Sequence, residues 1–125
     1  MTKILIIEDN PENMQLIVYL LHAFGHIPIE AENGKIGLEI AQDELPDLIL
    51  CDLQMPDMDG YEVIRRLKLD PKLAAVPVVA VTAYAMVGDR DKVLATGFNG
   101  YIPKPINPET FVKEIEKYLS HTGTS

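Results

Sequence analysis

A chain of 125 residues, 47% hydrophobic and 24% charged, has room for one domain and can bury about two-thirds of its unfolded surface without help from disulfides. Eleven basic residues against 19 acidic give a net charge of −8, a surface that repels phosphate backbones and anionic lipid, so neither nucleic acid nor membrane is an expected partner. With a single cysteine, an N-terminus that turns acidic after four apolar residues and no run near ~18 apolar residues, no disulfide scaffold, secretory leader or membrane span is expected, and the expected compartment is the cytoplasm.

Residues 4–7 (ILII) are branched aliphatics without polar alternation, the pattern of a parallel strand covered on both faces. Asn10 is placed to cap a helix that opens with Pro11 and carries Met14, Ile17, Val18, Leu21 and Phe24 on one side, with Gly25 stopping it. A weaker strand is expected at 27–30 and a second helix over 34–43. The pattern of an enclosed strand returns at 48–51 and ends at Asp52. Asp57 and Asp59 read as turn residues leading to Gly60, and a third helix is expected over 61–68. Residues 77–81 (PVVAV) form the third enclosed strand and end at Thr82. A fourth helix over 89–96 stops at Gly97, and a weak strand follows at 101–103. The last helix is expected to take Asn107 as cap and Pro108 as first residue, with Phe111, Val112, Ile115, Tyr118 and Leu119 facing the core. The domain is expected to occupy 1–120, with 121–125 a flexible tail. His22, His26 and His121 lack metal-ligand spacing and read as solvated or capping residues, and Cys51 as a small buried hydrophobe.

Five strand–helix alternations imply a doubly wound α/β fold, a five-stranded parallel sheet flanked by five helices. Such a sheet gathers the carboxyl ends of its strands on one rim, where ligands bind at the point of strand-order reversal. That rim carries Glu8, Asp9, Asp52, Thr82 and Lys104. Three carboxylates there repel one another by about 3 kcal/mol per pair at ~5 Å and an effective dielectric near 20. A bound cation relieves this, and hard oxygen ligands suit Mg²⁺ or Mn²⁺.

The segments IIEDN at 6–10, DLILCDLQMPDMDG at 47–60, VTAYAM at 81–86 and YIPKPI at 101–106, in this order and spacing, resemble the receiver domain of two-component response regulators, over residues 3 to about 119. The stretch AYAMVGDRDKVLATGFNGYIPKPI is similar to single-domain regulators of the DivK type and to receivers attached to hybrid kinases. The resemblance implies the flavodoxin-like strand order 2-1-3-4-5. It implies Asp52 as phosphoacceptor, Asp9 as a direct metal ligand, Glu8 as a residue that reaches the metal through water or through its other ligands, and the main-chain carbonyl of Gln54 as the remaining protein ligand. It further implies Thr82 as the hydroxyl on the phosphoryl group, Tyr101 as an aromatic that changes rotamer with it, Lys104 as partner of the acceptor carboxylate, and a cis Lys104–Pro105 bond.

The implied donor is a histidine kinase or histidine phosphotransfer protein, because the chain has no glycine loop for a nucleotide. The implied target is a downstream protein on the face of helix 4, strand 5 and helix 5, to which Tyr84, Met86 and Tyr101 contribute. Such a protein assists its own phosphorylation and dephosphorylation without being an enzyme. A chain ending soon after its fifth helix is expected to lack an output domain and to act through protein contacts. The chemistry agrees: a carboxylate attacking phosphorus needs the incoming charge neutralised, which a divalent ion and Lys104 supply, while Thr82 and the Ala83 N–H donate to the remaining oxygens. Pro103 departs from the small polar residue usual before the lysine, a change an edge strand tolerates. The resemblance also implies that Gln54 and Tyr84 stand at positions that set the lifetime of the acyl phosphate.

Three other readings fit less well. A phosphatase of the haloacid dehalogenase class places its aspartyl nucleophile after the first strand, not the third. A flavodoxin-like electron carrier needs a first loop that holds phosphate, whereas EDNPEN repels it. A phosphorylation-independent interaction module would be expected to lack one of the motif positions, and none is missing.

Overall fold

A computed structural model describes residues 2–83 and 87–119. In chain order the elements are β1 (Lys3–Ile7), α1 (Pro11–Ala23), β2 (Ile27–Ala31), α2 (Gly34–Glu44), β3 (Leu48–Asp52), α3 (Gly60–Leu69), β4 (Val78–Thr82), α4 (Val87–Thr96), β5 (Gly100–Pro103) and α5 (Phe111–Leu119). All strand pairs are parallel, in the order β2-β1-β3-β4-β5. The three enclosed runs are the central strands, and β3 and β4 are buried along their whole length. Strand alternation sends their side chains to two cores. Ile4, Ile6, Leu48, Leu50, Val79 and Val81 meet Ile17 and Leu21 of α1 and Phe111, Val112 and Ile115 of α5. Leu5, Ile7, Ile49, Cys51, Val78 and Ala80 meet Ala41 of α2, Val63, Ile64 and Leu67 of α3, and Val93 of α4. Burying each such aliphatic side chain is worth about 1.5–3 kcal/mol, and the parallel pairing brings all the strand ends to one rim.

Side chains cap three helices, at Asn10 as expected and also at Asn33 and Asp59. Asn10, Asn33 and Asp59 each accept a hydrogen bond from the N–H three residues on, at 3.0, 2.8 and 3.0 Å. Four features differ from expectation. Phe24 does not join the buried face of α1: it follows the helix and is 56% exposed, with Gly25 at φ +85° turning the chain. The last helix begins at Phe111, later than Pro108, because residues 107–110 form a turn in which the Asn107 side chain accepts from the Glu109 N–H at 3.0 Å. His26 is not solvated: its Nε2 lies 2.8 Å from Glu116 Oε2 on α5. Asp59 does more than turn the chain, since it caps α3.

The Lys104–Pro105 bond is cis, and Pro103 sits on the edge strand β5 as the departure at that position requires. Cys51 is fully buried, and burial with the nearby Asp52 and Glu8 carboxylates pushes its thiol well above the usual range. Tyr84, Met86, His121 and the tail over 121–125 lie outside the described residues. Among the described residues no helix is long and apolar enough to cross a membrane.

Candidate functional site

Strand order reverses between β1 and β3, and register places their ends side by side: Ile7 pairs with Cys51, so Glu8 and Asp52 follow on adjacent strands. Asp52 pairs with Val81 and Thr82 with Pro103, which brings the ends of β4 and β5 to the same rim. Glu8, Asp52 and Thr82 are the buried polar side chains among the described residues, at 2%, 4% and 1% exposure, while Asp9 is exposed. Carboxylate oxygens of Glu8, Asp9 and Asp52 all lie within 4.8 Å of one another.

Lys104 reaches into this group from beyond β5. Its Nζ lies 3.2 Å from Asp52 Oδ2 and 3.1 Å from Glu8 Oε1, and it donates to Glu8 Oε2 at 3.4 Å. One ammonium thus faces two buried carboxylates. Burial pushes the Glu8 carboxyl up from 4.5 to about 7; the Asn10 N–H and Lys104 pull it down, and Asp52 adds to the rise. Burial by itself lowers Lys104, but Asp52 and Glu8 outweigh that and hold its ammonium above the ordinary value.

Main-chain N–H groups complete the polar partners. Asn10 donates to Glu8 Oε2 at 3.1 Å, and Gln54 donates to Asp52 Oδ1 at 3.0 Å. The two contacts are the same local device, a carboxylate at a strand end accepting from the N–H two residues on. Neither was anticipated, although the i, i+2 spacing in EDN and DLQ was available as a signal. The contact of Lys104 with Glu8 was also missed. Gly60 brings the chain back over Asp52: its N–H donates to the Leu53 carbonyl at 3.0 Å. A Cβ on Gly60 would stand 2.6 Å from the Asp52 carbonyl oxygen and 2.8 Å from Leu53 Cα, so no side chain fits there.

Among the clefts on the rim, two border Gln54. One of about 350 Å³ is lined by Asp9, Asn10, Asp52, Gln54, Ala83 and Lys104. The other, about 620 Å³, lies toward α4 and is lined by Leu53, Gln54, Met55, Asp59, Thr82 and Asp89. Glu8, Asp9, Asp52 and Lys104 are therefore in one cluster, with Gln54 bordering both clefts and Thr82 facing the second. Tyr101 is separate: it is half-buried on the α4 side of β5, with the Arg90 guanidinium 5.6 Å from its ring centroid.

The donor set suits a hard cation. It consists of carboxylate oxygens, and buried Glu8 Oε1 has no hydrogen bond despite the nearby ammonium, leaving a lone pair for a metal or its water.

The model of the response regulator receiver domain family matches residues 4–116. The chain is 43% identical over 116 residues to the polar-differentiation response regulator DivK of Brucella anthropi, covering 93% of this chain and 94% of that one. The structure of the Vibrio cholerae chemotaxis protein CheY4 superposes with a TM-score of 0.89 at 27% identity, covering 94% of this chain and 98% of that one. The receiver domain of sensor histidine kinase PA1611 from Pseudomonas aeruginosa PAO1, solved with a magnesium ion coordinated in its active site cleft, gives a TM-score of 0.86 at 30% identity over 94% of this chain and 97% of that one.

Proposed function

The chain belongs to the response regulator receiver domain family, and from that premise we propose that Asp52 accepts a phosphoryl group from a phosphohistidine on a histidine kinase or histidine phosphotransfer protein. The observation that carries this reading is the cluster at the rim: Asp52 and Glu8 buried against Lys104, with Asp9 beside them. Glu8, Asp9, Asp52 and the Gln54 carbonyl would hold Mg²⁺ (or Mn²⁺), which when bound neutralises charge on the phosphoryl oxygens.

An Asp52 carboxylate oxygen attacks phosphorus. The new O–P bond forms as the donor's N–P bond breaks, and the imidazole leaves with that electron pair and takes a proton from solvent. Lys104 balances charge on the acceptor and the incoming oxygens, and the Gln54 N–H fixes the carboxylate's orientation. The Thr82 hydroxyl and the Ala83 N–H donate to the transferred group. Tyr101 then turns inward, shifting the population of the α4–β5–α5 face toward the form a downstream protein recognises. The chain is a phosphoacceptor that signals through protein contacts in the cytoplasm, with no substrate to turn over. Its dense acidic surface suits protein partners and not nucleic acid.

Intact-mass measurement after incubation with acetyl phosphate and Mg²⁺ tests the assignment. Wild type gains one phosphoryl group and Asp52→Ala gains none; equal labelling of both would overturn it.

A further inference from the structure

Helix α4 is thinly anchored. Among its described side chains Val93 alone is buried, and Leu94 is exposed. In place of apolar burial it extends a cation over an aromatic ring on each flank. Lys92 Nζ stands 4.9 Å from the Tyr61 ring centroid on α3, and the Arg90 guanidinium 5.6 Å from the Tyr101 centroid on β5. Among the described residues no carboxylate pairs with Arg90, so the ring is its partner. Tyr101 itself is half-buried, with the guanidinium over its ring.

We propose that Arg90 is a positioning residue for the switch: its contact with the ring holds Tyr101 in the half-buried position seen here and opposes the inward turn proposed above for occupation of the Asp52 site. The proposal rests on the phosphoacceptor reading above. A contact present in one of two states shifts their balance by its own strength. For a cation–π contact at an exposed site that amounts to about two- to fivefold in an equilibrium constant. Arg90 therefore sets the resting bias of the switch, and its loss makes the site easier to fill.

The test is a double-mutant cycle read by titration with beryllofluoride in Mg²⁺, following the fluorine-19 signal of the bound form. Arg90→Ala also removes a positive charge, which weakens anion binding, but that effect is common to both arms of the cycle and cancels. The expected result is that Arg90→Ala tightens binding by about two- to fivefold more when Tyr101 is present than in Tyr101→Leu. Arg90→Lys, which can still stack its cation, stays within about twofold of wild type, and Tyr101→Phe, which keeps the ring, retains the coupling. Equal effects of Arg90→Ala in the two backgrounds overturn the latch, as does coupling lost in Tyr101→Phe. If wild type binds beryllofluoride saturably while the cycle shows no coupling, only the latch falls. If wild type shows no Mg²⁺-dependent binding, the phosphoacceptor reading falls and the latch with it.

Discussion

Replacing Glu8 by Gln isolates the electrostatic cost of the site. The Glu8 carboxyl titrates near 4.5 in an unfolded chain and at about 7 in the folded one, chiefly because burial disfavours its charge. At about 1.4 kcal/mol per tenfold change in proton affinity, the difference amounts to about 3 kcal/mol. The folded state binds the proton more tightly, so the stability linked to Glu8 is fully present below about 4.5 and is lost as pH rises through about 7. At pH 8 the metal-free protein carries an ionised, buried carboxylate whose Oε1 has no hydrogen bond. Gln keeps the shape and can still accept the Asn10 N–H. It gives up the attraction to Lys104, which stays paired with Asp52 at 3.2 Å. Glu8→Gln should therefore stabilise the metal-free protein by about 1–3 kcal/mol at pH 8, and by little near pH 4.5. Thermal melts in EDTA across that range check it, with an expected rise of several degrees at pH 8 for a chain of this length. Wild type should recover about 2.7 kcal/mol in Mg²⁺ at a hundredfold excess over its dissociation constant, and the variant less. A variant that melts at or below wild type at pH 8 in EDTA would show that the Lys104 pairing outweighs the burial cost, and the electrostatic argument would be refuted.

Lys104→Ala should do the opposite, leaving two buried carboxylates without their cation and costing about 3 kcal/mol at pH 8. The loss should shrink by pH 5, where Glu8 takes a proton; urea unfolding that shows the same loss at both values would refute the coupling. Gly60→Ala forces a methyl group against the Asp52 carbonyl oxygen and Leu53 Cα, so it should cost about 1–3 kcal/mol and slow labelling of Asp52 by acetyl phosphate. An unchanged melting curve would show that the β3–α3 loop gives way there.

The enclosed strands were legible because burial on both faces removes polar alternation, and Ile4–Ile7 has no other reading as compact as a strand. Strand order was not legible from periodicity: it came with the resemblance, and the pairing bears it out. Where reading failed, the cause was a partner distant in sequence or a local bond in competition with the helix. His26 meets Glu116 across 90 positions. Pro108 has no N–H, so the first donor after Asn107 is Glu109, which its side chain takes, and the regular helix starts only at Phe111.

The site divides along the same line. Parallel strands end at one edge whatever their order, so the polar residues after them could be placed on one rim from sequence alone. Which of them touch depends on strand order and side-chain reach. Lys104 follows β5 and must cross β4, two strand spacings of about 4.8 Å, to meet Asp52, and reach past β3 as well to meet Glu8, which follows β1. Only a long side chain spans that gap, and it delivers a single charge to two carboxylates. One ammonium thus faces three carboxylates, a donor set that suits a hard cation. Thr82 and Tyr101 lie outside this cluster: Thr82 lines the second cleft, and Tyr101 packs on the α4 side of β5 beneath the Arg90 guanidinium, so neither could be joined to the carboxylates by spacing alone.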